Sequence, residues 1–308
     1  MVRDLVSVII PSKNRPDFLI QALESVFAQT YKNLEVIVVD DGSTPPIESF
    51  IAERYGGLVK ILRNEQSRGA PAARNAGAKL ASGEFVAFLD DDDLWMPEKI
   101  ERQLEIYSTL SEDYGVVYCG YNFVVNNRVV PRENKYKSQG YVFPQSLRGC
   151  PVGSPTPLIR RKCFEQVFGF DEVLPACQDW DLWVRLSKIC KFSFVPQSLA
   201  LYRVHGAQIS VDLLRKITSR ELFLGKYQNE LSLHPELLSL HYCRIGALYA
   251  IAAQPEETIK LYRLALEADT MNMRARIHVL LFSISPKLDK YLTECFGITR
   301  VGGVRLIH

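Results

Sequence analysis

Net charge is nearly absent from this chain: 37 basic and 35 acidic residues among 308 leave a formal charge of +2. That balance excludes the broad basic surface on which nucleic-acid binding depends. Cysteine occurs seven times, at 119, 150, 163, 177, 190, 243 and 295, yet no C-x-x-C pair is among them. An odd number without paired spacing argues against a disulfide framework and suits buried thiols in a reducing compartment, so a cytoplasmic location is expected. Long apolar runs are lacking too. The first residues carry Asp4 and meet Pro11 after a short apolar stretch, and the best run near the other end, residues 277–284, falls far short of a membrane span. Neither a signal peptide nor a transmembrane helix is expected. A glycine-rich phosphate loop after the first apolar run is also missing; Pro11-Ser12-Lys13-Asn14-Arg15 stands there instead, which argues against nucleotidyl transfer.

What the chain does have is an apolar fraction of 47%, enough for a substantial core, and two carboxylate clusters in telling places. Residues 6–10, 34–39, 58–62 and 85–89 read as strands, apolar on both faces as buried parallel strands are. Helical spacing predicts helices over 17–29, 70–81 and 97–110, the last opened by Pro97. The βαβ order implies an α/β fold with a mostly parallel sheet flanked by helices, whose ligands sit at the carboxyl ends of the strands. Asp40-Asp41-Gly42-Ser43 follows the second strand, and Asp90-Asp91-Asp92-Asp93 follows the fourth. Two carboxylates about 4 Å apart repel by roughly 1 kcal/mol in bulk water and about 4 kcal/mol near a protein surface, so such a run at a strand mouth calls for a cation. Mg²⁺ takes one or two carboxylates and completes its shell with water and substrate phosphates. The competing reading is a solvated turn leading into the next helix; Asp93 is expected to be that helix's cap. Asp40 reads as the partner of an Asx-type turn into Gly42.

Beyond residue 115 the chain reads as a strand at 116–118, a hairpin around Asn126-Asn127, irregular lining over 141–157, helices at 161–167 and 179–189, and strands at 192–195 and 199–204. After about 211 it turns helical. Tyr242, Gly246, Tyr249, Tyr262 and Ala265 have the spacing of one tetratricopeptide-like helix pair, with Pro255 starting its second helix. The expected organisation is therefore 1–210 as one domain, split at 115/116 into two halves, with 211–308 as a helical extension. The last part is basic and partly amphipathic, a pattern suited either to solvent or to an anionic membrane.

Five segments, PSKNRPDFLIQALESVFAQTY at 11–31, LEVIVVDDGST at 34–44, GAPAARNAGAKLASGEFVAFLDDDDLWMPEKI at 69–100, CQDWDLWVRL at 177–186 and LYRVHGAQIS at 201–210, resemble in order and spacing the family-2 glycosyltransferases of the GT-A nucleotide-sugar fold. The resemblance covers roughly residues 5–210 and makes 1–115 the donor-nucleotide half and 116–210 the acceptor half. It places Pro11, Asp41 and Arg74 at the donor nucleotide, Asp90 or Asp91 at its ribose, and Asp92 on a Mg²⁺ or Mn²⁺ ion. It implies that His205 joins the metal or the diphosphate. Asp179 matches the family's catalytic base, although Gln178 stands where the family usually has Glu. Trp180 becomes a candidate acceptor contact. For Asp179 a helix N-cap, for Arg74 a structural ion pair, for Trp180 a core position and for His205 a structural role remain open.

The activity so implied is inverting, metal-dependent transfer of a single sugar from a nucleoside-diphosphate sugar, a UDP-sugar first, to a hydroxyl of a glycan or lipid-linked glycan, in polysaccharide, cell-envelope or glycoconjugate synthesis. The Gln-x-x-Arg-Trp signature of processive synthases is missing, which favours one sugar per encounter. The location implied is cytoplasmic, with peripheral contact at the inner face of the membrane. The alternative is a non-catalytic nucleotide-sugar or glycan-binding protein of the same fold, which Gln178 favours.

Overall fold

The computed structural model describes residues 2–132, 138–149, 152–205, 212–301 and 304–307. They form two compact units, Met1–Glu172 with Gln178–Arg203, and Val173–Cys177 with Val204–His308. The first unit opens as the apolar runs predict: β1 (Val2–Ser12), β2 (Leu34–Asp41), β3 (Val59–Asn64) and β4 (Gly83–Phe88) lie parallel in the order β3-β2-β1-β4. Alternation along β1 divides the core. Val6, Val8 and Ile10 pack on one face with Leu19, Leu23 and Val26 of α1 (Pro16–Phe27) and Ile51 of α2 (Glu48–Tyr55). Ile9, Ile37 and Val39 pack on the other with Ala73 of α3 (Ala70–Leu80). Gly77 lets α3 approach, because a Cβ there would lie 2.5 Å from Ile9 Cγ2.

The second half of the sheet departs from the expected boundaries. β5 (Leu94–Trp95) pairs with β9 (Lys191–Arg203), and the Met96 amide donates to the Leu199 carbonyl at 2.9 Å, so α4 begins at Lys99 (Lys99–Ser108) rather than at Pro97. β6 (Tyr114–Val125) turns into β7 (Arg128–Val130) through Asn126 and Asn127, whose φ values of 47° and 59° make the expected tight hairpin. β8 (Leu158–Arg160) slips antiparallel between β4 and β6; three residues are too few to show a period. β9 is one strand where two were expected. Its register against β6 skips from Val195 to Ser198, a bulge around Pro196, which has no amide hydrogen to give. α5 (Arg161–Gln166) and α6 (Gln178–Ser187) cover the same face as α3, through Phe164, Leu182 and Trp183.

Lys99 is an oddity of this layer, fully buried, with Nζ 2.8 Å from Gln103 Oε1 and 4.1 Å from the centre of the Trp95 ring. Trp95 itself packs, its indole N–H on the Pro155 carbonyl at 2.8 Å. Burial lowers the Lys99 ammonium to about 8. Unfolded, it holds its proton to its ordinary value, so between pH about 8 and 10.5 the folded chain binds fewer protons and gains stability as pH rises. Urea unfolding should show that gain, up to roughly 3 kcal/mol, and Lys99→Met should abolish it while stabilising the chain near neutrality. Parallel pH profiles of the two proteins are the contrary result.

The second unit is helical: α7 (Leu213–Lys226), α8 (Gln228–Ser232), α9 (Pro235–Ile251), α10 (Pro255–Ala268), α11 (Met273–Ile284) and α12 (Pro286–Gly297), then a hairpin of β10 (Ile298–Val301) and β11 (Val304–Ile307). α9 and α10 pack as an antiparallel pair, with Gly246 close enough to the Tyr262 ring that a Cβ would sit 3.0 Å from it. Among the described residues no helix is long and apolar enough to cross a membrane.

Candidate active site

Both acidic clusters lie at the carboxyl ends of parallel strands. Asp40 is the turn partner its position predicts: it accepts from the Ser43 amide at 2.9 Å and from Arg63 at 2.5 Å. Asp41 accepts four hydrogen bonds, from Asn64 Nδ2, Ser67 Oγ and the amides of Arg68 and Gly69, all within 2.9 Å. Burial alone would raise its pKa, yet these donors hold it below the ordinary carboxylate value. Asp41 thus binds the 64–69 loop onto β2. Gly42, at φ 77°, is required beside it, since a Cβ would lie 2.8 Å from the Ser67 nitrogen. Pro11 is buried within β1, opposite Val39.

The four aspartates after β4 divide among three partners, Arg74, Arg15 and the Arg203 amide. Asp90 pairs with Arg74 and takes a hydrogen bond from Ser154 Oγ at 3.3 Å. Asp91 accepts from Ser12 Oγ at 2.7 Å and lies 2.5 Å from Arg15, whose other nitrogen reaches Asp92 at 2.7 Å. Burial, with the charges of Asp92 and Asp90, pushes the Asp91 carboxyl up to about 7 against the pull of Arg15. Asp93 is not the expected helix cap. The residue before α4 is Glu98, and the Asp93 carboxylate instead accepts from the Arg203 amide at 2.9 Å, tying the run to the end of β9. Burial and the charges of Asp92 and Asp90 raise Asp93 well above its ordinary value. One oxygen each from Asp90, Asp92 and Asp93 lie within 4.8 Å of one another, and buried Asp93 Oδ2 has no hydrogen-bond partner among the described residues. An all-oxygen donor set with an orphaned carboxylate oxygen fits a hard divalent cation.

Asp179 stands in the first turn of α6 and accepts from the Trp180 amide at 2.8 Å. Burial raises its carboxyl above the ordinary value, opposed by the charge of Arg74, and the Asp90 charge adds to the rise. Arg74, Asp90 and Asp179 therefore form one electrostatic group. Arg74 lies 5.3 Å from the centre of the Phe170 ring, and Asn75 fixes that segment by exchanging hydrogen bonds with the Phe170 backbone at 2.8 and 2.9 Å. Hence Ala-Arg-Asn-x-Gly has a physical reading here: arginine to the acids, asparagine to the 169–172 loop, glycine against β1.

A family model described as Glycosyl transferase family 2 matches residues 7–168. The chain belongs to glycosyltransferase family 2, and the protein is a transferase enzyme. An uncharacterized glycosyltransferase of Rickettsia typhi is 33% identical over 274 residues, which is 85% of this chain and 84% of that one. The Escherichia coli UDP-Glc:alpha-D-GlcNAc-diphosphoundecaprenol beta-1,3-glucosyltransferase WfgD is 31% identical over 226 residues, covering 72% of this chain and 86% of the relative. Staphylococcus aureus TarS 1-349, solved with UDP-GlcNAc, superposes with a TM-score of 0.71 at 19% identity over 99% of this chain and 96% of its own, the same GT-A fold.

Two further expected site residues are Trp180 and His205. Trp180 is 3% exposed and gives its indole N–H to the Ser146 carbonyl at 2.8 Å, which is the core position left open for it. His205 belongs to the second unit, next to residues 206–211, which lie outside those described. Sequence reasoning passed over Arg15, Ser12 and Ser154. The signal for Arg15 was available: a cation just before a helix, on the strand end that neighbours an acidic one.

Proposed function

We propose that this glycosyltransferase is inverting and metal-dependent, and that it moves one sugar from a UDP-sugar to a hydroxyl of a lipid-linked glycan. The observation that carries the reading is the joining of the Asp90, Asp92, Asp93 oxygen cluster to Asp179 through Arg74. Asp90, Asp92 and Asp93 would hold Mg²⁺ or Mn²⁺, and the ion would neutralise charge on the departing nucleoside diphosphate. Asp41 would keep the nucleotide loop shaped, and Asp90 or Asp91 would meet the ribose. Asp179, its proton affinity raised by burial, would take the proton of the acceptor hydroxyl as that oxygen attacks the anomeric carbon from the side opposite the leaving group. The lipid-linked acceptor is supported by WfgD, which acts on GlcNAc-diphosphoundecaprenol. Gln178 keeps hydrogen-bonding capacity without charge, which this division of labour tolerates because Asp179 alone accepts the proton.

Thermal unfolding with a panel of nucleoside diphosphates tests the donor assignment. UDP with Mn²⁺ at 100 times its dissociation constant should stabilise the protein by about 2.7 kcal/mol, and UDP without the metal by clearly less. NMR of the product should show the inverted anomer. The absence of any nucleotide response, or a metal-indifferent one, contradicts the proposal.

A further inference from the structure

α11 is built inside out. Ala275 and His278 on one side are buried, His278 with Nδ1 2.6 Å from Asp289 Oδ1 and its ring stacked at 4.6 Å on Tyr262. On the opposite side Met273, Ile277, Leu280 and Ile284 are 60, 51, 62 and 68% exposed. At 3.6 residues per turn these four fall within an arc of roughly 60°, the stripe that a helix of a folded domain ordinarily turns to its core. Met271 before the helix and Leu288 and Tyr291 in α12 are exposed as well. A single exposed leucine needs no account, but a run of seven large apolar side chains on one helix and its flanks does.

Charge narrows the partner. Arg274, Arg276 and Lys287 are exposed beside the stripe, whereas the one acid between residues 271 and 291, Asp289, is buried against His278. A second copy of the chain meeting this face symmetrically would set cations near cations, with no exposed acid between residues 271 and 291 to answer them. An anionic bilayer answers both features. We propose that α11 docks the enzyme on a membrane surface bearing anionic lipid headgroups, with Met273, Ile277, Leu280 and Ile284 entering the acyl boundary and Arg274, Arg276 and Lys287 meeting phosphates. The surface deepens the lipid-linked acceptor proposed above and rests on that reading for its purpose, since a docked enzyme meets its acceptor in two dimensions.

Flotation of the full chain with phosphatidylcholine vesicles, with and without phosphatidylglycerol, is the test. The parent chain should float with the anionic vesicles and be released by salt. Ile277→Ser/Leu280→Ser/Ile284→Ser, all outward-facing, should keep the melting temperature and lose at least about tenfold in vesicle affinity. Arg274→Gln/Arg276→Gln should lose about fivefold per charge and flatten the salt dependence. Failure of the parent chain to float, flotation unchanged in the triple variant, or a triple variant that converts a dimer to a monomer on sizing would each overturn the membrane assignment. Transfer to a water-soluble acceptor, measured alongside, should be equal in the parent and triple variant, so loss of docking and loss of the transferase reading are told apart.

Discussion

Asp179→Asn is expected to leave donor affinity near that of the parent enzyme while lowering sugar transfer by about two to four orders of magnitude. The split follows from where the charge acts. A base meets the acceptor hydroxyl and contributes little to ground-state donor binding, and asparagine retains the shape and the carbonyl oxygen that can accept from the Trp180 amide. The substitution does remove a negative charge near Arg74 and Asp90, so a modest change in donor affinity is compatible with the role. Gln178→Ala should cost less, because that side chain is assigned no proton. Calorimetric titration of donor and product formation with an identified acceptor separate the two quantities. Near-normal transfer by Asp179→Asn, or retained anomeric configuration in the product, would remove the single-displacement mechanism.

The strand half of the fold was legible because burial on both faces leaves continuous apolar runs such as Val36–Val39 and Phe85–Phe88, and the carboxylates that follow them mark the ligand edge without any tertiary information. β5 and β8 were not legible. Strands of two and three residues owe their existence to neighbours far along the chain, Leu199–Leu201 and Ala87, rather than to any local period. The same holds in the site. Asp40 could be read as a turn residue because its partner Ser43 is three residues away. Arg15 reaches across 76 residues to Asp91, and Asp93 across 110 to Arg203. Neither partner can be named from the residues beside it. Trp180 shows the converse: an amphipathic helix permits a tryptophan to face substrate or core, and only its burial on the Ser146 carbonyl decides for the core.

That long-range geometry revises which aspartates should matter most. Read as a helix cap, Asp93 would tolerate amide substitution; read as a member of the oxygen cluster with Asp90 and Asp92, it should not. Asp92→Asn and Asp93→Asn are each expected to fold, because Asn at 93 can still accept from the Arg203 amide and Asn at 92 leaves Arg15 its pairing with Asp91. Both should lose metal-dependent UDP affinity by roughly tenfold or more, since a neutral amide oxygen is a poor ligand for a hard cation in place of a carboxylate. Asp91→Asn is the contrast. Its carboxylate is occupied by Ser12 and Arg15 rather than by the cluster, so it should alter metal dependence least while weakening the hold on Arg15. Manganese titration by electron paramagnetic resonance, with UDP calorimetry on the same three variants, ranks them directly. If Asp93→Asn binds Mn²⁺ as the parent does while Asp92→Asn does not, Asp93 serves only to hold β9, and the cation site shrinks to Asp90 and Asp92.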